Sequence, residues 1–249
     1  IMMAITIGLV SGFLVADGSM LRAYDDSFQK YNIEDGYFQT KKKLTPAQKE
    51  DIEKSDVKVY ENFYIEQKLT NGSTVRFFKN RKDVDKVCLM KGRMPEKSGE
   101  IAVDRMYADN NELKVGDTVK SRKKTFRITG LVALSDYSAL FQNNNDTMFD
   151  SVKFGVAIVT DKDFEALNQV KLQYNYAWVY DKKPETEKKE KKMAEDLMED
   201  MTGVVTLESF VPQFQNQSIC FTGDDMGSDR AMMVMLLYIV IAILAFVFG

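Results

Sequence analysis

The chain carries no charged side chain from Ile1 to Ala16 and none from Ala231 to Gly249, and every Lys, Arg, Asp and Glu lies between these ends. The run from Ala231 to Gly249 approaches the roughly 20 apolar residues that a helix rising about 1.5 Å per residue needs to cross hydrocarbon. It lacks the polar face that a helix buried in a soluble core normally keeps. The run from Ile1 to Ala16 is shorter and contains Gly8, Ser11 and Gly12, small residues that allow close helix approach in lipid. A signal peptide is the competing reading, because an h-region is about 7–15 residues long. The absence of a basic n-region and of an A-x-A site before Asp17 favours a span. Residues 1–16 and 231–249 are thus read as truncated parts of a first and a second transmembrane helix, with a water-soluble domain between them.

Composition narrows what that domain does. With 34 basic and 37 acidic residues it has no electrostatic footprint for nucleic acid. Histidine is absent, which removes the most common general base and metal ligand. No catalytic residue, cofactor or metal site is expected. The spacing of Cys88 and Cys220 matches no metal or redox motif and leaves their pairing open. Long domains translocate largely regardless of charge, so the charge pattern gives no orientation.

Apolar periodicity and turn residues divide the middle of the chain. Asp17 to Tyr31 continues as a helical stalk (17–32), with Met20, Leu21, Tyr24, Phe28 and Tyr31 three and four apart. Gly36 to Thr40 reads as a strand. Thr45-Pro-Ala-Gln48 begins a helix, with Thr45 as N-cap, Pro46 at the first position and Gln48 completing a capping box. Val57–Leu69 and Thr74–Phe78 are β-rich and joined by Asn71-Gly72, a hairpin signal. Short strands and turns follow, among them Gly99–Asp104, Thr125–Val132 and Phe154–Thr160. Tyr174–Tyr180 is a strand, Glu185–Met201 an amphipathic helix with Met193, Leu197 and Met201 on one face, and Val204–Phe210 a last strand. The reading is an α+β core in two parts, 33–80 and 171–210, interrupted by a smaller β-rich insertion at 81–170. A connector, 211–230, leads to the second span.

The stretch Leu89-Met-Lys-Gly-Arg-Met-Pro-Glu-Lys-Ser-Gly-Glu-Ile-Ala-Val-Asp104, then Leu113-Lys-Val-Gly-Asp-Thr-Val119 and Phe126-Arg-Ile-Thr-Gly-Leu-Val132, resembles the extracytoplasmic domain of FtsX-like permeases. That family includes the MacB-type ABC transporters and places this domain between its first two transmembrane helices. The resemblance implies a noncatalytic, multi-pass cell-membrane subunit with residues 17–230 extracytoplasmic. Its implied partners are a cytoplasmic ABC ATPase, a second permease copy or a homologous permease, and an extracytoplasmic protein or peptide. It would couple ATP hydrolysis to movement outside the membrane, extruding lipoprotein, peptide or antibiotic, or activating a cell-wall hydrolase. The alternative is the ligand-binding domain of a two-span membrane sensor.

The motif residues read as fold signature. Gly92 and Pro95 shape a turn, Arg93 ties a loop to a neighbouring carboxylate, and Gly99 precedes a strand that turns Glu100 and Asp104 outward. Gly116-Asp117 forms a tight turn, and Gly130 inside a strand marks a bulge or close backbone approach. Asp224, Asp225 and Asp229 read as capping residues before the last helix. Asn143-Asn-Asn-Asp146 lacks the register of a Ca²⁺ loop, and the lysines at 41–43 and 188–192 read as solvated charge. No Walker A loop is present, so any nucleotide is hydrolysed by another chain. Candidate partner contacts are Tyr137, Leu140, Phe141 and Phe149, in or beside a long loop over 136–151.

Overall fold

A computed structural model describes residues 26–213 apart from 123, 138, 144, 145 and 147. Both expected spans, most of both stalk segments and Cys220 lie outside the described residues. Among those described, no helix is long and apolar enough to cross a membrane. The chain is mixed α+β, and its described strands join into one sheet.

One lobe is built from the two ends of the domain. Strand β1 (Gly36–Thr40), helix α1 (Pro46–Glu53) and strand β2 (Val57–Glu61) form its first half. Strand β10 (Leu172–Tyr180), helix α4 (Glu187–Val204) and strand β11 (Leu207–Pro212) form its second. The strands lie antiparallel in the order β11-β1-β10-β2, the split β-α-β arrangement of ferredoxin-like folds.

The expected capping box is present: Thr45 Oγ1 accepts from the N–H of Gln48 at 3.2 Å, and Gln48 Oε1 accepts from the N–H of Thr45 at 3.0 Å. Both helices bury Ile52, Leu197 and Met201 against Phe38, Val57, Val59, Tyr176 and Trp178. Alternation along β10 puts Tyr176, Trp178 and Tyr180 on the helix side, each worth about 1.5–3 kcal/mol when removed from water. Helix α4 runs three residues past the expected Met201, because Met201 itself lies in this core and the last turn is carried with it.

The second lobe is inserted between β2 and β10. It contains β3 (Tyr64–Lys68), β4 (Thr74–Phe78), β5 (Cys88–Gly92), β6 (Glu100–Asp104), helix α2 (Arg105–Asn110), β7 (Thr118–Lys120), β8 (Thr125–Ala133), β9 (Phe154–Val159) and helix α3 (Asp161–Glu165). The Asn71-Gly72 turn joins β3 to β4, with Gly72 at φ +89°. Strands β4 and β9 are parallel, as are β6 and β8, while β7 and β5 share the other edge of β8. A bridge between Leu69 and Ser121 brings β7 back to β3, so the sheet curls around Phe77, Ile101, Phe126, Ile128, Val156 and Ile158.

Strands β3 and β4 pack Tyr64, Ile65, Val75, Phe77 and Phe78 into this second core. The two lobes meet along β10, whose start pairs with β3 and whose end pairs with β2. Asp104, expected to face outward, is buried and caps α2 by accepting from the N–H of Tyr107 at 3.0 Å. Once β6 is covered on both faces, period-2 alternation no longer marks an exposed side.

Candidate functional site at the junction of the lobes

The chain comes into the domain through residues 31–35, and these touch both lobes. The N–H groups of Asp85 and Lys86, on the β4–β5 connection, donate to the carbonyls of Asn32 and Tyr31 at 3.0 and 2.8 Å. Asn32, at φ +47°, also sends its side-chain amide to the Asp83 carbonyl at 2.7 Å. Three residues on, the N–H of Asp35 donates to the Trp178 carbonyl of β10 at 2.9 Å. The preceding turn, residues 26–31, is helical as expected and buries Phe28 under Lys183, whose ammonium lies 5.2 Å from the ring centroid. Lys183 also pairs with Asp35 at 3.3 Å, and Asp35 accepts from the N–H of Tyr180 at 2.9 Å. Burial raises the Asp35 carboxyl above its usual range, and Lys183 opposes that rise.

At the centre sits Asp85, fully buried. Its Oδ1 accepts from the Glu34 N–H at 3.0 Å and the Ser135 hydroxyl at 3.2 Å. Its Oδ2 accepts from Asn62 Nδ2 at 3.0 Å. One carboxylate thus holds the inbound segment, the β2–β3 connection and the turn after β8. Glu34, 2% exposed, turns its side chain toward the outbound segment, where Oε1 accepts from Gln213 Nε2 at 2.9 Å. Its Oε2 has no hydrogen-bond partner among the described residues. Nearby, Arg81 Nη1 meets Asp136 at 2.6 Å, both side chains nearly inaccessible, and the guanidinium lies 4.3 Å from the Phe78 ring centroid.

Burial disfavours the charged forms of Glu34 and Asp85. Burial, then the charge of Asp85 and of Asp136, raises the Glu34 carboxyl well above its ordinary value. Burial and Asp136 push Asp85 up to about 6, with Arg81 opposing. The arrangement offers no activated nucleophile. It is a hydrogen-bonded hub at which both ends of the domain and both lobes converge.

The residues singled out from sequence lie elsewhere. The N–H of Arg93 donates to the Thr129 carbonyl at 2.9 Å, and its guanidinium forks onto Glu100. Glu100 also accepts from the N–H groups of Glu96 and Lys97 at 2.9 and 3.0 Å, and Arg93 with these donors holds it down to about 2. Pro95 lies in the loop these bonds close. The N–H of Gly99 donates to Asp163 at 2.7 Å, and Asp117 accepts from the Lys114 N–H at 2.8 Å beside Gly116 at φ +104°. Against β6, the register of β8 shifts at Gly130, where an added Cβ would overlap the Arg93 carbonyl oxygen. These residues build the lobe.

Of the four candidate contacts, Leu140 is buried, and Tyr137 packs on Phe78 and Phe154 while accepting from Arg76 Nη1 at 3.0 Å. Phe141 and Phe149 meet edge to face at 5.8 Å, with Phe149 46% exposed. Sequence reasoning missed Glu34, Arg81, Asp85 and Asp136, because nothing local separates them from the many solvated charges around them.

No protein-family profile matches the chain, and no curated protein matches it. Among solved structures it is similar to the periplasmic region of MacB from Actinobacillus actinomycetemcomitans, at 14% identity and a TM-score of 0.35, over 67% of this chain and 83% of that one. It is also similar to the extracellular domain of the ABC-type transporter YknZ from Gram-positive bacteria, at 13% identity and a TM-score of 0.36, over 72% of this chain and 98% of that one.

Proposed function

We propose that this chain is the extracytoplasmic domain, with parts of the first two membrane helices, of an FtsX-like ABC-transporter permease. On this reading it is a noncatalytic cell-membrane subunit that works with a separate cytoplasmic ATPase and pairs with a second copy or a homologous permease. Its domain passes ATP-driven movement to a substrate or partner outside the membrane.

The observation that carries the reading is the pairing of the two ends of the domain. Gly36 lies opposite Pro212 on adjacent antiparallel strands, so the chain comes in and goes out side by side. Movement applied through paired helices would reach both lobes at once through Glu34, Asp35 and Asp85. The three sequence stretches quoted between Leu89 and Val132 support the same family.

The test uses the full-length permease with its ATPase, cross-linking introduced cysteines in segment 17–31 to partners in segment 211–230 after replacing Cys88 and Cys220. ATP-driven function should be lost while assembly with the ATPase persists. Unaltered function, or a full-length protein that continues into a kinase with no further spans, would overturn the proposal in favour of a sensor.

A further inference from the structure

The curled sheet of the β-rich lobe has a seam. Strand β10 pairs with β3 only at Gln173–Tyr64 and Leu172–Ile65 before the chain leaves the sheet in a 3-10 turn over Gln169–Lys171. From the other side, β7 reaches only the Leu69–Ser121 bridge, with the N–H of Thr70 donating to the Lys120 carbonyl at 2.8 Å. Between these points the outer edge of β3, from Glu66 to Lys68, pairs with no strand among the described residues.

The hydrogen bonds at Asn62 and Thr70 both run from even-numbered residues across this edge. Strand alternation therefore turns the backbone groups of Glu66 and Lys68 into the gap. Gln67 bends its side-chain amide back to the Glu66 carbonyl at 3.1 Å, filling the place that an incoming N–H would take.

The gap opens into a groove of about 1150 Å³. This is above the roughly 300–1,000 Å³ of small-molecule sites, and the lining is polar where such sites are mostly apolar. Five basic and two acidic side chains line it. Both acids are already engaged, Glu66 by Arg76 at 3.1 Å and Asp163 by Lys124. Lys68, Arg122 and Lys171 are exposed and make no ion pair among the described residues. Val170 stands 93% exposed at the rim.

We infer that this seam binds an extended acidic peptide, added as a strand along the open edge of β3. Carboxylates of the peptide meet Lys68, Arg122 and Lys171, and an apolar residue packs on Val170. Main-chain bonds to Glu66 and Lys68 supply the anchoring, as in other strand-addition complexes. The site is independent of the permease reading, because it rests on the seam and its charge alone.

The test uses the full chain in detergent and a fluorescent octapeptide of alternating Glu and Val. The expected result is saturable binding and slowed amide exchange at Glu66 and Lys68. Affinity should fall at least tenfold for a Lys68→Glu, Arg122→Glu, Lys171→Glu variant, and as far for the same peptide N-methylated along one edge. Should the triple variant melt early, the Lys→Gln and Arg→Gln counterpart should still lose at least threefold. Equal binding of a Lys-Val octapeptide, equal binding of the N-methylated peptide, or no binding at all would overturn the inference.

Discussion

The backbone N–H of Gln213 donates to the carbonyl of Asp35 at 2.8 Å, and the Gln213 side chain reaches the neighbouring Glu34 at 2.9 Å. The last described residue of the domain is thereby fastened to the segment through which the chain comes in. Glu34 in turn presents its N–H to Asp85, so the same point is tied to the β-rich lobe.

That hub has a stability signature. Replacing Asp85 by Ala leaves the Glu34 N–H, the Asn62 amide and the Ser135 hydroxyl without their acceptor, and is expected to cost about 3 kcal/mol in urea denaturation. Glu34→Gln keeps the acceptor for Gln213 and removes the titrating carboxyl. The folded-state pKa of Glu34 is raised, so the native protein binds more protons than the unfolded chain. Wild-type stability should therefore fall as pH rises through that raised pKa, and the Gln variant should lack this fall.

Asp104 offers a second pH test. Burial pushes its carboxyl up to about 6 although the N–H of Tyr107 favours the charged form. Its contribution is fully favourable below the unfolded value near 4 and is lost as pH rises through 6, a loss of about 3 kcal/mol at 1.36 kcal/mol per unit. Asn also caps helices well. Asp104→Asn should therefore flatten the stability profile between pH 4 and 7, and an unchanged slope would count against this assignment.

Glu100 titrates in the opposite direction. Arg93 and two backbone N–H groups hold it down to about 2, so its favourable contribution is present above the unfolded value and is lost as pH falls through 2. Arg93→Ala should move the Glu100 midpoint, followed by carboxyl NMR, upward toward the ordinary carboxylate range.

Two glycines with similar positive φ should respond differently to Ala. Gly72, at φ +89°, has nothing within 4 Å of an added Cβ, so only backbone strain of about 1 kcal/mol is expected. Gly92, at φ +77°, would drive that Cβ into the Thr129 carbonyl oxygen, so the β5–β8 pairing must also give way. Thermal denaturation should show a clearly larger drop for Gly92→Ala, and equal drops would mean that β5 yields freely.

Much of the secondary structure was legible because its causes are local. The Thr45–Gln48 capping box, the Asn71-Gly72 turn and the apolar run of β9 each declare themselves within a few residues. Ends slipped where packing overrode local signals, as at Met201 in α4 and at Asp104, which a strand pattern assigned to the surface. Loop aromatics were harder still. Tyr137 and Leu140 look like exposed loop residues in the chain, yet a core formed by Phe78 and Phe154 lies ready to receive Tyr137.

By itself the sequence determined the uncharged ends, the strand and helix order of the α+β domain and the linked motif from Leu89 to Val132, because composition, periodicity and capping act over short separations. Only the tertiary structure decided that Glu34, Asp85 and Gln213 meet, and that β3 keeps an open edge between β10 and β7. Those relations join residues 51 to 179 positions apart, and no local preference of the chain encodes a contact formed only when the sheet closes around its core.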